Sequence, residues 1–203
     1  AGHTSAGASK LTERDDIRVV KVGGSLLELP DLADRIGGWL AEQSAARTLI
    51  VVGGGAVVNA IRHLDDQHPA DECQMHWLAI RAMGITARIV SELLPECLLL
   101  ERWEEIATIA GDRPAVMDVE QFLRSVEPAL EGRKLPQSWH VTSDSIAARL
   151  ACCTMASELV LIKSASPPHP DSVDQWADSG YVDRFFSELA PDVAFIRCVN
   201  LRS

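Results

Sequence analysis

Only four of the nineteen cationic side chains are lysines, Lys10, Lys21, Lys134 and Lys163, and two of them share a context. Lys21 lies near the end of the apolar run IRVVKV, which runs into Gly23, Gly24 and Ser25, and Lys163 closes ELVLIK ahead of Ser-Ala-Ser. An ammonium buried without a partner is costly. In open parallel sheets ligands collect beyond the carboxyl ends of the strands. Two lysines at such ends would aim two positive charges into one crevice, where an anion would account for both. Each could instead carry its charge into water on its flexible stem.

Glycines strengthen the anion interpretation. Gly23 and Gly24 follow the first apolar run, and Gly53, Gly54 and Gly55 follow the second, TLIVV. Glycine leaves backbone N–H groups unshielded and admits positive φ, so consecutive amides can converge on an anion. A helix starting after each turn would add its positive end. A tight strand–helix turn without a ligand would use the same residues. A Walker sequence, G-x-x-x-x-G-K-[ST], is absent, and a dinucleotide fingerprint beginning at Gly53 meets Val58 where its last glycine belongs. Asp144 opens the segment TSDSIAARLACCTM, where Thr142, Ser143 and Asp144 are helix-capping types. Near the two lysines, its carboxylate would hold both ammonium groups and offset their repulsion. Two cations and a carboxylate beside glycine-rich amides suit a phosphoryl group in transfer, which needs charge stabilisation and alignment more than covalent help.

The elements that must position these residues alternate. Strand-like runs IRVVKV, TLIVV, CLLL, AVMDV, ELVLIK and VAFIRCV are separated by helical patterns at 29–43, 56–66, 71–94, 119–126, 142–155 and 182–190. Short, wholly apolar strands suit a sheet covered on both faces. The pattern predicts a three-layer αβα sandwich with a largely parallel central sheet. Residues 164–180, SASPPHPDSVDQWADSG, read as a linker, and residues 1–16 as a disordered lead-in without the apolar core of a signal peptide.

A chain of 203 residues supports one domain with a substantial core. The net charge of −10 opposes a nucleic-acid-gripping role while leaving room for a local positive pocket. No apolar run approaches the ~18 residues of a membrane span, so a cytoplasmic protein with neither nucleic-acid nor membrane partner is expected. The five scattered cysteines contain no C-x-x-C pair and read as free thiols. No metal site is expected.

In order and spacing, VVKVGGSLL, IVVGGGAVV, VTSDSIAARLA and ELVLIK resemble the core motifs of the amino-acid kinase superfamily, over about residues 17–163. The resemblance implies one such domain over 17–203 and an ATP-dependent kinase using Mg²⁺. It implies catalytic roles for Lys21, Asp144 and Lys163, with the aspartate organising the lysines. Gly23, Gly24 and Ser25 would meet the nucleotide phosphates. Gly53, Gly54, Gly55, Thr142 and Ser143 would serve the small-molecule acceptor, a phosphate monoester or carboxylate. It also implies a homo-oligomer, dimer or larger, built on the long helix at 71–94. His76, Trp77 and Met83 are similar to an aspartokinase-related branch that includes the kinase for an aminomethylfuran-methyl phosphate in methanofuran synthesis; Trp77 and Met83 would equally suit a core. SASPPHP stands where family members carry D-V-D-G, and the later glycine-rich stretch with a second lysine is missing. These departures imply a shortened nucleotide-binding half in which Lys163 stands in for that lysine. They also leave room for a non-catalytic nucleotide- or oxyanion-binding member of the fold.

Overall fold

The structure, a computed structural model, describes residues 16–109, 111, 113–169 and 172–203. The expected lead-in therefore lies outside the described residues, apart from Asp16, whose carbonyl accepts from Arg47 N at 2.8 Å.

Six strands form one sheet: β1 Ile17–Val22, β2 Arg47–Val52, β3 Leu98–Leu100, β4 Ala115–Met117, β5 Glu158–Lys163 and β6 Ile196–Asn200. Their order is β3-β4-β2-β1-β5-β6, and every pairing is parallel. The chain winds outward from β1 to one edge, then returns to add β5 and β6 on the other side. The β1–β5 junction is therefore the switch point where a parallel sheet opens a crevice. Helices α1 Leu32–Ala41, α2 Gly55–Gln67, α3 Glu72–Leu93 and α4 Ser143–Thr154 provide the principal covering.

Strand side chains alternate between two cores, as the two-residue repeat requires. Val19, Leu49, Val51, Leu159 and Leu161 pack with Ile146 and Leu150 of α4. Val20, Ile50, Val160 and Ile162 pack on the opposite face with Leu32 and Ile36 of α1. Helix α3 serves both cores, giving Ile80 and Met83 to the first and Ala87 and Val90 to the second. Lys21 and Lys163 occupy the odd-numbered face with Val19 and Leu161, so both point toward α4.

Three local expectations change. Residues 119–126 form a π-helical turn, Phe122–Val126, followed by the 3₁₀ turn Glu127–Ala129, instead of a regular helix. Residues 164–180 are more than a linker: they include the short helix α5, Val173–Asp178, which buries Trp176 in the core. A bulky indole out of water outweighs the Pro-, Ser- and Gly-rich composition around it. Gly24 opens a 3₁₀ turn, Gly24–Glu28, so only the second glycine turn leads directly into an α-helix. The described cysteines are free; Cys97 is buried and the other four half-buried.

Candidate active site

Asp144 receives one ammonium on each carboxylate oxygen. Lys21 Nζ lies 2.8 Å from Oδ1, and Lys163 Nζ lies 2.8 Å from Oδ2. Both contacts are ion pairs, and the Lys163 contact is also a hydrogen bond. Lys163 Nζ also donates to the Tyr181 carbonyl and sits 4.5 Å from the centroid of the Tyr181 ring. Lys21 and Asp144 are each 5% exposed, so the group carries two cations against one anion in a nearly dry place.

The imbalance acts on protonation. Burial pushes the Asp144 carboxyl up, but the two ammonium groups outweigh it and hold the carboxyl below its ordinary value. Lys163 moves down from its ordinary value because burial disfavours its charge and Lys21 repels it, with Asp144 opposing both. Among the described charged groups bonded to this cluster, only Asp144 is negative. Asp183 attracts Lys163 without bonding to it, so the excess positive charge offered to an arriving anion is partly offset.

The rest of the molecule fixes Asp144 in position. Thr142 is the N-cap of α4, its hydroxyl accepting from Asp144 N at 3.4 Å. That hydroxyl donates to Asp183 Oδ2 at 2.7 Å, while Ser145 Oγ donates to Asp183 Oδ1 at 2.5 Å. The N–H groups of Thr142, Ser145 and Phe186 also donate to Asp183. One carboxylate thus joins the start of α4 to the start of α6, Phe186–Leu189. Further along α4, Arg149 and Glu127 form a buried ion pair at 2.9 Å. Asp183 escaped the sequence reading; its signal was an aspartate three residues ahead of a short helix.

The two glycine turns cross backbone to backbone. A Cβ on Gly24 would lie 2.2 Å from Gly55 N and 2.6 Å from Gly55 Cα. Gly55 has φ +52°, and a Cβ there would stand 2.5 Å from Gly24 O. This crossing demands glycine whether or not a ligand binds. Gly24→Ala is accordingly expected to destabilise the fold by about 2–3 kcal/mol, since neither backbone can yield cheaply; urea unfolding of the variant against the parent measures it. The crossing also sets which amides are available. Gly23 N donates to Ile162 O at 2.8 Å and Gly53 N to Val22 O at 2.9 Å, so both are spent in strand-type bonds. Donors for an anion must come from the residues just beyond, where helical starts leave N–H groups without intrahelical partners.

A cavity of about 460 Å³ opens beside this arrangement, walled by Lys21, Lys163, Gly23, Gly24, Ser25 and Tyr181 among others. Ser164, next to Lys163, also lines it and shares a 3.2 Å hydroxyl contact with Ser25. Ser164 opens the supposed linker, and Tyr181, the chain's single tyrosine, follows its last residue. Gly53, Gly54, Gly55, Thr142 and Ser143 do not line this cavity. Gly53 abuts Ser143, whose Oγ would be 3.0 Å from a Cβ placed on it, and Gly55 abuts Gly24. His76 is buried with Nδ1 3.2 Å from Ser138 O, Met83 is core, and Trp77 is half-buried under the Arg124 guanidinium. Arg62 lies over the Trp139 ring at 4.7 Å. Among the described residues no three His, Cys, Asp or Glu side chains converge as a metal site, and no helix is long and apolar enough to cross a membrane.

A parallel sheet with a charged triad at its switch point defines a class of anion-handling α/β proteins, and comparison narrows the class. The amino acid kinase family matches residues 16–166, and the chain belongs to that family. Solved structures share the fold at low identity. Uridylate kinase from Archaeoglobus fulgidus is 17% identical, with a TM-score of 0.61 over 90% of this chain and 89% of that one. UMP kinase from Ureaplasma parvum is 15% identical, with a TM-score of 0.63 over 94% and 92%. Aspartate kinase from Synechocystis is 15% identical, with a TM-score of 0.54 over 89% of this chain and 38% of that one. A comparison with curated protein sequences finds no match.

Proposed function

We propose that the protein is an ATP-dependent small-molecule kinase that transfers the γ-phosphoryl group to a phosphate monoester or a carboxylate. The observation behind this proposal is the placement of Lys21 and Lys163 on the two oxygens of Asp144, at the wall of a cavity bounded by Gly23, Gly24 and Ser25. In this proposal Mg²⁺ arrives on the nucleotide and neutralises part of the phosphate charge. Lys21 and Lys163 draw the transferring group's oxygens toward them, and Asp144 keeps the two ammonium groups together before the anion arrives. The Gly24–Gly55 crossing brings the donor and acceptor turns into contact, shortening the path between them. The acceptor we favour is an aminomethylfuran-methyl phosphate, from the His76, Trp77 and Met83 resemblance; UMP and aspartate, named for the structural neighbours, are the alternatives.

Phosphoryl transfer from ATP to each of these three acceptors, followed by ³¹P NMR, tests the reading. Transfer to one of them, lost in Lys21→Met, supports it; no transfer to any, with ATP binding intact, favours a nucleotide- or oxyanion-binding role. That second reading has its own observation: Lys163 already spends two of its three donors on Asp144 and the Tyr181 carbonyl.

The lowered Lys163 value yields a pH prediction. Activity falls as pH rises through that value, so the alkaline limb lies below the ordinary lysine value of 10.5. For stability the sign is separate: a lowered ammonium value means a folding cost present at neutral pH and relieved as pH rises to 10.5. Lys163→Arg, which stays charged, is expected to move the alkaline limb upward in a pH–rate profile.

The proposal includes a homo-oligomer. Leu78, Ile85, Ile89 and Leu93 of α3 are exposed, as are Val57 and Leu64 of α2, on helices packed against each other. Leu78, Ile85 and Ile89 repeat at spacings that share one helix face. Light scattering after size exclusion measures the state, and Ile85→Glu/Ile89→Glu should convert an α3-mediated dimer to monomer.

A further inference from the structure

A second cavity, of about 570 Å³, lies at the opposite pole of the sheet, where strands β1, β2 and β4 begin. Its volume is in the range of small-molecule sites. Leu40 and Ala41 of α1, with Ala45 and Ala46 of the following loop, supply apolar wall, and Arg18, Glu96 and Arg113 supply charge.

Two features single it out. Arg18 is 6% exposed yet has donors to spare. Its Nε donates to Glu158 Oε2 at 2.7 Å, and its two terminal nitrogens donate to Ser44 O at 3.2 Å and Ser44 Oγ at 3.0 Å. A guanidinium has five N–H groups, which leaves two beyond those bonds, on a buried residue of the cavity wall. The other feature is Gly37, inside α1 and on the same wall. Glycine there weakens a helix relative to alanine. A Cβ on Gly37 would meet only Glu96 Oε1, at an ordinary 3.9 Å. Packing within this chain therefore does not require glycine, and its bare backbone leaves room in the cavity. Gly38, exposed beside it, has no such explanation.

We infer that this pole is a binding site for a small monocarboxylate with an apolar body, held by Arg18 and Arg113 and seated against Gly37 and Leu40. Counting Glu158, which pairs with both Arg18 and Arg197, the cations Arg18, Arg197 and Arg113 exceed Glu158 and Glu96 by one charge, which a monoanion balances. The planar guanidinium fork matches a carboxylate. Arg113 is exposed, lines the cavity and donates through Nε to Glu96 O at 2.8 Å. The site lies away from the lysine pair, on the α1 face of the sheet.

Calorimetric titration of the full chain with benzoate and with 3-methylbutanoate tests the inference, with inorganic phosphate as control. Saturable binding of one carboxylate is expected, weakened about tenfold or more in Arg113→Gln, the scale of one charged hydrogen bond. Gly37→Leu, which fills the cavity, should abolish it, whereas Lys21→Met should leave it unchanged. Gly37→Ala provides a folded control, expected to be more stable than the parent. No saturation by about 10 mM of either carboxylate, a value too weak for a built site, overturns the inference. So does binding that survives in Arg113→Gln and Gly37→Leu at parental strength, binding lost in Lys21→Met, or binding of phosphate alone.

Discussion

Lys21→Met is expected to lower turnover by on the order of 10²–10³-fold, the usual cost of removing a donor aimed at developing charge, without lowering stability. The two halves of this expectation come from one count. The parent buries two ammonium groups against one carboxylate. Methionine keeps most of the stem and removes one cation, leaving Asp144 and Lys163 as a neutral pair. A buried cation in excess disfavours folding, so its removal is neutral or stabilising, as for sites where function and stability are opposed. The urea midpoint should therefore hold or rise while phosphoryl transfer collapses. A variant that transfers at the parental rate would exclude Lys21 from the chemistry. One that loses activity together with its fold would show that the lysine is structural.

The converse change should damage both properties. Asp144→Asn keeps shape but removes the one charge holding two buried ammonium groups together. Breaking a buried pair in this way costs about 3–5 kcal/mol, and here two pairs share the broken partner. Stability should fall by that order and transfer should be lost. In the double variant Lys21→Met/Asp144→Asn the ammonium repulsion is gone, so part of the stability should return without the activity. Recovery of neither would point to the α4 cap, where Asp144 N meets Thr142. The acid behaviour of the parent follows from the same carboxylate. Its folded value is lowered, so its stabilisation is complete above the unfolded value and fades as pH falls through the folded one. Loss of this contribution should begin only below about pH 4, the ordinary aspartate range, in an acid titration followed by circular dichroism.

The sequence carried the strands and the charged triad because both rest on local signals. Apolar runs of five or six residues ending in glycine or serine could hardly be anything but covered strands. Lys21 and Lys163, odd-numbered along adjacent strands, meet Asp144 because alternation places all three on one side of the sheet. Other features depended on tertiary partners. Nothing near Gly24 announces that Gly55 will lie across it, and the crossing supplies a reason for glycine independent of phosphate binding. Asp183 looked like one acid among many, since four of its five side-chain hydrogen bonds come from Thr142 and Ser145, 41 and 38 residues away. The stretch at 164–180 misled through composition: prolines and serines suggested a spacer, while one tryptophan determined that it packs.

The placement of Lys21 also bears on how the chain folds. Its strand is central and among the first elements in the sequence, yet Asp144, which neutralises it, and the helix α4 that carries Asp144 come much later in the chain. Until they dock, closing the middle of the sheet would trap a solitary cation in apolar surroundings, which is unfavourable. Such long-range dependence slows folding, because distant segments must first be brought together. The buried charge of Lys21 therefore also discourages a partial domain from sealing prematurely, so that an early fragment of this protein should remain open rather than settle into a finished shape.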